Sequence, residues 1–224
     1  MTDQSASLLR LMHLVSPALP IGAFAYSQGQ EYAIDCGWLK TPAQVEDWIS
    51  GVLHHGIGRL DAPILLRLYR AWQQEDQPGT EYWNQFLLAS RETRELLEED
   101  LQVGRALAIL LASLGVERAR PWRDQGTCLA SQFSLAAVHW AICPEQALLG
   151  YLWSWCENQI AAAGKTLPLG QTHAHNMLQR LLQQIPPVAE QALALADDEI
   201  GGSLPGLAIA SARHETQYSR LFRS

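Results

Sequence analysis

Apolar residues recur along this chain at three- and four-residue spacing, segment after segment, and nowhere alternate with polar ones over a useful length. That periodicity fits helices burying one stripe each and leaves no place for a sheet. Proline and capping residues punctuate the segments. Thr41-Pro42-Ala43-Gln44 combines a Thr N-cap, a Pro at the first helical position and a Gln that completes a capping box, with Val45, Trp48, Ile49, Val52 and Leu53 following at helical spacing. Asp61 is placed to cap the next helix, with Leu65, Leu68, Tyr69 and Trp72 inward and a stop at Gln77-Pro78-Gly79, after which Thr80 opens another. The Glu-rich run Arg91–Asp100 leads into apolar Leu101–Leu114, a polar loop spans 115–125, and helix resumes over residues 127–142. Pro144 opens the longest apolar helix, to about Ala163. With Leu148, Leu149, Tyr151, Leu152, Trp153, Trp155 and Ile160 it is apolar nearly all round, which suits the centre of a domain or a subunit interface. A helix over 169–185 is cut by Pro186-Pro187, and one over 188–196 follows. The expected fold is all-α, a single-domain bundle of roughly eight to ten helices, with a body over residues 1–210 and a docking tail over 211–224.

The N-terminal part begins with a short helix over 5–15. It gives way to Pro17-Ala-Leu-Pro-Ile-Gly-Ala-Phe-Ala-Tyr-Ser27, where two prolines forbid helix and Gly22 permits a turn. So apolar a loop has to pack on something, either as a buried connection or as a binding element. Helix over 28–35 carries Glu31 and stops at Gly37. At the other end, Ser211-Ala-Arg-His-Glu-Thr-Gln-Tyr-Ser-Arg-Leu-Phe-Arg-Ser224 is rich where termini are usually undemanding. Wound as a helix it puts His214, Tyr218, Leu221 and Phe222 on one stripe, with Gln217 and Arg220 beside it and Arg223 continuing a basic edge. Such a face either docks into a groove on another protein or folds back onto its own core.

Composition narrows the function classes. Over 224 residues the net charge is −7, apolar residues make up 48% and charged ones only 17%, and there are eight Trp. So few charges leave apolar surface to face a partner, and an acidic chain without a Lys/Arg-dense block disfavours nucleic acid. From Ala212 to Ser224, three Arg against one Glu make the tail a basic tip, suited to a partner with an acidic docking surface. The four cysteines lie far apart without a C-x-x-C pair, which excludes a zinc framework and a disulfide scaffold and reads as reduced, buried thiols. Neither a signal peptide nor a membrane-spanning run is expected.

The constellations that could carry chemistry fall short. Gly164-Lys165-Thr166 invites a phosphate-loop reading, but Gln159 stands where the motif needs Gly and a helix stands where it needs a strand. Lys165 is better read at a helix C-terminus, available to a partner. His214-Glu215 begins a zinc-protease pattern whose second His is replaced by Tyr218, and a helical metal-dependent hydrolase using this pair is the alternative from another class. His173 and His175 point about 200° apart on a helix; His139 and Cys143 read as core; His54 and His55 are adjacent and face different ways. No catalytic, metal or cofactor site emerges, and a binding protein is favoured over an enzyme.

Pro17–Ser27, Thr166-Leu-Pro-Leu-Gly-Gln-Thr172 and Ser211–Ser224, in that order, closely resemble the UreF family of urease accessory proteins, across the whole chain. The resemblance implies a cytoplasmic all-α homodimer without catalysis of its own. It implies a scaffold that bridges UreD (also called UreH), which contacts the urease apoprotein UreABC, and the GTPase UreG, which brings Ni²⁺ for insertion at the carbamylated lysine. It further implies that the tail becomes ordered on UreD and helps recruit UreG, and that Lys165 is a contact through which UreG GTP hydrolysis is modulated. The partner-binding residues expected on this basis are Arg213, His214, Glu215, Gln217, Tyr218, Arg220, Leu221, Phe222 and Arg223 of the tail, Lys165, and Pro20, Gly22, Tyr26, Ser27 and Glu31 of the N-terminal part. His173-Ala174-His175 departs from the family's smaller or amide residues, which raises a transient nickel contact there.

Overall fold

The computed structural model describes residues 3–224. Among them there are eleven α-helices and no strand: α1 Asp3–Leu14, α2 Gln30–Asp35, α3 Pro42–Val52, α4 Asp61–Gln73, α5 Gln77–Ala89, α6 Arg94–Ser113, α7 Leu129–His139, α8 Pro144–Thr166, α9 Gln171–Leu182, α10 Ile185–Ala194 and α11 Pro205–His214. The all-α expectation holds. The Thr41 capping box forms, with the Thr side chain accepting from Gln44 N and the Gln44 side chain accepting from the Thr41 amide.

Helix α4 runs through the centre, with Ala62, Ile64, Leu65 and Leu68 out of contact with water and α5, α7, α8 and α10 packed around it. A smaller cluster (Ala33, Leu39, Val45, Ile49, Ile160, Ala163, Met177, Leu181 and Ala210) joins α2, α3, α8, α9 and α11. Trp48 and Trp155 pack against both clusters. Of the two places suggested for α8, the centre of the domain is the one it occupies: Ala147, Leu148, Leu152 and Cys156 are fully buried, while Leu149 stays 38% exposed.

Several local readings need correction, each for a tertiary or capping reason. Pro78-Gly79 does not stop a helix; Asp76 accepts from Gly79 N and caps α5, with Pro in its first turn. Asp61 is the first residue of α4 rather than its cap, and its carboxylate is buried against Arg91. Pro186 and Pro187 likewise sit in the opening turn of α10 instead of only ending α9. The polar loop contains a 3-10 turn over Glu117–Arg123 that buries Ala119 and Trp122. Cys36 and Cys143 are exposed, as is His139, so only Cys128 and Cys156 are buried thiols. Burial pushes the Cys156 thiol up to about 12. The largest correction is the tail: helix ends at His214, and residues 215–224 are turns and extended chain.

Candidate functional site

The tail leaves α11 at the ring of His214, which is fully buried. Its Nδ1 lies 2.8 Å from Glu95 Oε2 on α6, and its Nε2 lies 3.0 Å from Glu31 Oε2 on α2. Glu31 then takes the next stretch of backbone: Leu221 N donates to Oε1 at 2.7 Å and Phe222 N to Oε2 at 3.0 Å. Arg220 Nη1 donates to the other Glu95 oxygen at 2.9 Å. Beyond them Arg223 N donates to the Ala25 carbonyl, and both Ser27 N and Ser27 Oγ donate to the main-chain oxygen of Ser224. These bonds explain why the helical stripe is not realised. The amides of residues 221–223 find acceptors on the body that a continued helix would not offer them, and tertiary contacts override local periodicity.

Two glycines make room for this arrangement. Gly22 has φ +78°, which opens the turn leading into the 3-10 segment Ala23–Ala25. At Gly29 a β-carbon would lie 2.7 Å from Ser211 N, so only glycine lets the start of α2 approach α11 this closely.

Two of the stretches singled out above, Pro17–Ser27 and the tail, therefore meet at one place, with Lys165, the residue before the third, between them. Lys165, in the last turn of α8, sets its Nζ 5.7 Å from the ring centre of Phe24 and 5.2 Å from that of Phe222, a cation–π contact with the loop and with the tail. Tyr26 OH donates to Gln102 Oε1, and Arg223 Nη1 donates to the same oxygen. The expected stripe is divided. His214 and Phe222 face inward, whereas Tyr218 and Leu221 are exposed, Leu221 by 71%. Pro20, Arg213, Glu215, Arg220 and Arg223 lie on the surface and Gln217 is half-buried.

Sequence reasoning missed the other wall of this site. Glu95, Glu99 and Gln102 sit at i, i+4 and i+7 on α6, one helical stripe that meets the tail along its length. Glu99 accepts from Ser224 Oγ at 2.8 Å and from Gln28 Nε2 at 2.8 Å. It also borders a cavity of about 170 Å³ beneath the loop. Burial there pushes the Glu99 carboxyl up to about 7. Spacing alone did not single this stripe out, because Arg94, Glu98 and Asp100 interleave with it in the same Glu-rich run.

The hydrolase alternative requires His214 and Glu215 to face one reaction centre. Instead both ring nitrogens are taken by carboxylates, and Glu215 lies outside, 3.7 Å from Arg94. Among the described residues no group of three or more His, Cys, Asp or Glu side chains is arranged to hold a metal ion. His173 and His175 are exposed on α9. No helix among the described residues is long and apolar enough to cross a membrane.

The family model for UreF matches residues 39–182. The chain belongs to the UreF family. It is 53% identical over 218 residues to the urease accessory protein UreF of Hahella chejuensis, covering 97% of this chain and 98% of that one. It is 54% identical over 217 residues to that of Teredinibacter turnerae, with the same coverage. With the UreF of Alkalilimnicola ehrlichii it shares 50% identity over 224 residues, 100% of this chain and 98% of the relative. The family model stops short of both Pro17–Ser27 and the tail, whereas that last match extends through them.

Proposed function

We propose that this protein is a urease accessory scaffold. It links UreD (UreH) and the GTPase UreG to the urease apoprotein UreABC, so that Ni²⁺, the cargo, reaches the urease site. The observation that carries this reading is the meeting of loop, Lys165 and tail. A segment pinned to the body by polar bonds leaves Tyr218 and Leu221 exposed, Arg220 bonds Glu95, and Lys165 lies between the rings of Phe24 and Phe222. Exposed aromatic and aliphatic side chains with Arg beside them are the composition of an interface centre. The basic rim suits an acidic surface on the partner, where it adds specificity and encounter rate more than affinity. This face receives UreD and UreG, and Lys165, already engaged by both rings, is placed to transmit a change in the tail to UreG and so to its GTP hydrolysis.

The rest of the assignment follows from the same reading. The protein is non-enzymatic and cytoplasmic, and residues 211–224 act as the docking tail of the body formed by 1–210. It is a homodimer, supported by the low charge of the chain and by exposed Leu8, Leu9 and Met12 on α1. His173 and His175 make at most transient contact with the cargo. Co-purification with UreD and UreG, followed by mass measurement of the complex, tests the assignment. A complex containing all three supports it; failure of the full chain to retain either partner contradicts it.

A further inference from the structure

We propose that the cavity beneath the Pro17–Ser27 loop binds a small organic ammonium ion, a free amine carried on a compact apolar body. The cavity holds about 170 Å³ and is walled mainly by the end of α1, the loop, α6, α7 and α8. None of residues 211–224 borders it, so its walls belong to the body and not to the tail. An apolar cavity of about 150 Å³ takes up benzene, and this one therefore has room for a ring with a short ammonium arm.

The walls differ in chemistry. Leu14, Leu19, Ile21, Val103, Leu107 and Phe133 supply apolar surface for the body of the ligand. On α8, Ser154, Glu157 and Asn158 border the cavity at i, i+3 and i+4, with Ala161 one turn further. Ser154 Oγ donates to the Tyr151 carbonyl at 2.9 Å, and Asn158 Nδ2 donates to the Tyr26 carbonyl at 3.4 Å, so what both have left to offer a ligand is an accepting oxygen. Glu157 has no hydrogen-bond or ion-pair partner among the described residues, and burial raises its carboxyl above the usual range. An ammonium group brings three donors and no acceptor, the complement of this turn. A carboxylate partly withdrawn from water without a partner is costly, and a cation beside it offsets that cost.

The wider charge balance selects the same sign. Asp61, Glu99, Asp100 and Glu157 border the cavity against the guanidinium of Arg91, which is already spent on the two aspartates. The carboxylates are spread over α4, α6 and α8, and among the described residues no group of three or more His, Cys, Asp or Glu side chains is arranged to hold a metal ion. The complement is therefore an organic cation, and the Trp155 ring on the same wall adds a surface that cations favour. The site takes a small molecule within the body, so it stands apart from the reading of the tail as a docking segment.

The test titrates the full chain with benzylammonium chloride, and with benzyl alcohol and benzoate as neutral and anionic counterparts of similar shape. It reads saturable heat together with the methyl resonances of Val103 and Leu107. The expected result is saturable binding of the ammonium that shifts both sets of methyls, at an affinity at least about tenfold above that of the alcohol or benzoate. Glu157→Gln keeps the shape and removes the charge, so the ammonium is expected to fall to the affinity of the alcohol. Ala161→Trp, at an exposed position bordering the cavity, is expected to block both. Glu190→Gln removes an exposed carboxylate of α10 that does not border the cavity and is expected to change neither. Nα-acetyl-lysine amide carries its ammonium on a peptide body too large for the cavity and is expected to bind at least about tenfold more weakly than benzylammonium. Equal binding of the lysine amide would assign the site to a partner's side chain and overturn the free amine. Absence of saturable binding, no preference for the ammonium, a preference that survives Glu157→Gln or vanishes in Glu190→Gln, or binding undiminished in Ala161→Trp would each overturn the proposal as well.

Discussion

Arg91 and His214 each sit between two carboxylates, and they do different work. Arg91, between α5 and α6, donates to Asp61 at 2.6 Å and to Asp100 at 2.7 Å. Asp100 in turn accepts from Leu129 N, so the cluster ties α4, α6 and the start of α7 together. Burial alone would pull Arg91 down, but Asp100 and Asp61 more than offset it and hold its pKa well above the usual arginine range. His214 is likewise flanked by Glu31 and Glu95, yet what it ties down is a ten-residue segment with one buried aromatic, Phe222. The guanidinium keeps its charge at any pH the protein meets and offers five fixed donors; the imidazole offers two ring nitrogens, one to each carboxylate. The guanidinium ties helices of the body to one another, and the imidazole ties the tail to α2 and α6.

Breaking the body cluster gives the largest effect. Arg91→Met leaves Asp61 and Asp100 buried without a counter-charge and is expected to cost about 3–5 kcal/mol, read from the urea unfolding midpoint. A loss below about 1 kcal/mol would mean that the two sites are less different than their surroundings indicate. Phe222→Ala comes next, weakening tail docking by about 1.5–3 kcal/mol. Its signature is faster exchange over residues 216–224 with the body's amides unchanged; a matching drop in the body would make the tail part of the main core.

Protonation of Glu99 sharpens the contrast between the sites. Its folded-state pKa is about 7 against an ordinary 4.5, because burial outweighs the bonds from Gln28 and Ser224. Between those values the folded chain binds more protons than the unfolded one, so this group's contribution to stability falls as pH rises from about 4.5 to about 7. Glu99→Gln should flatten that slope in melts collected across the window. An unchanged slope would assign it to another group.

How much of this could be read beforehand depended on where the determining contacts lie. The Thr41 box, the Pro144 start and the Gly37 stop are local, and each was legible because its partners lie within a few residues. Asp61 was misread as a cap because Asp is both a good cap and a good ion-pair partner, and the guanidinium that decides between them lies 30 residues away. The tail was misread for the same reason at greater range. Its stripe satisfies helical spacing, but Glu31, 190 residues earlier, takes the Leu221 amide. The residues expected to matter were nevertheless brought together, since loop, Lys165 and tail meet; their orientation was not legible, because inward and outward positions on an irregular segment follow no period.

The smallest effect on stability belongs to the side chains given the leading role in recognition. Tyr218 and Leu221 face water, so Tyr218→Ala with Leu221→Ala should leave the melting midpoint nearly unchanged, within about 0.5 kcal/mol. Retention of UreG through UreD by this double variant of the full chain is the most direct test of a tail held inward by Glu31 and Glu95 with an outward docking face. The expected result is an intact melt, a protected tail and loss of UreG from the complex. Undiminished UreG retention with both side chains removed would contradict the assignment of this face to partner docking.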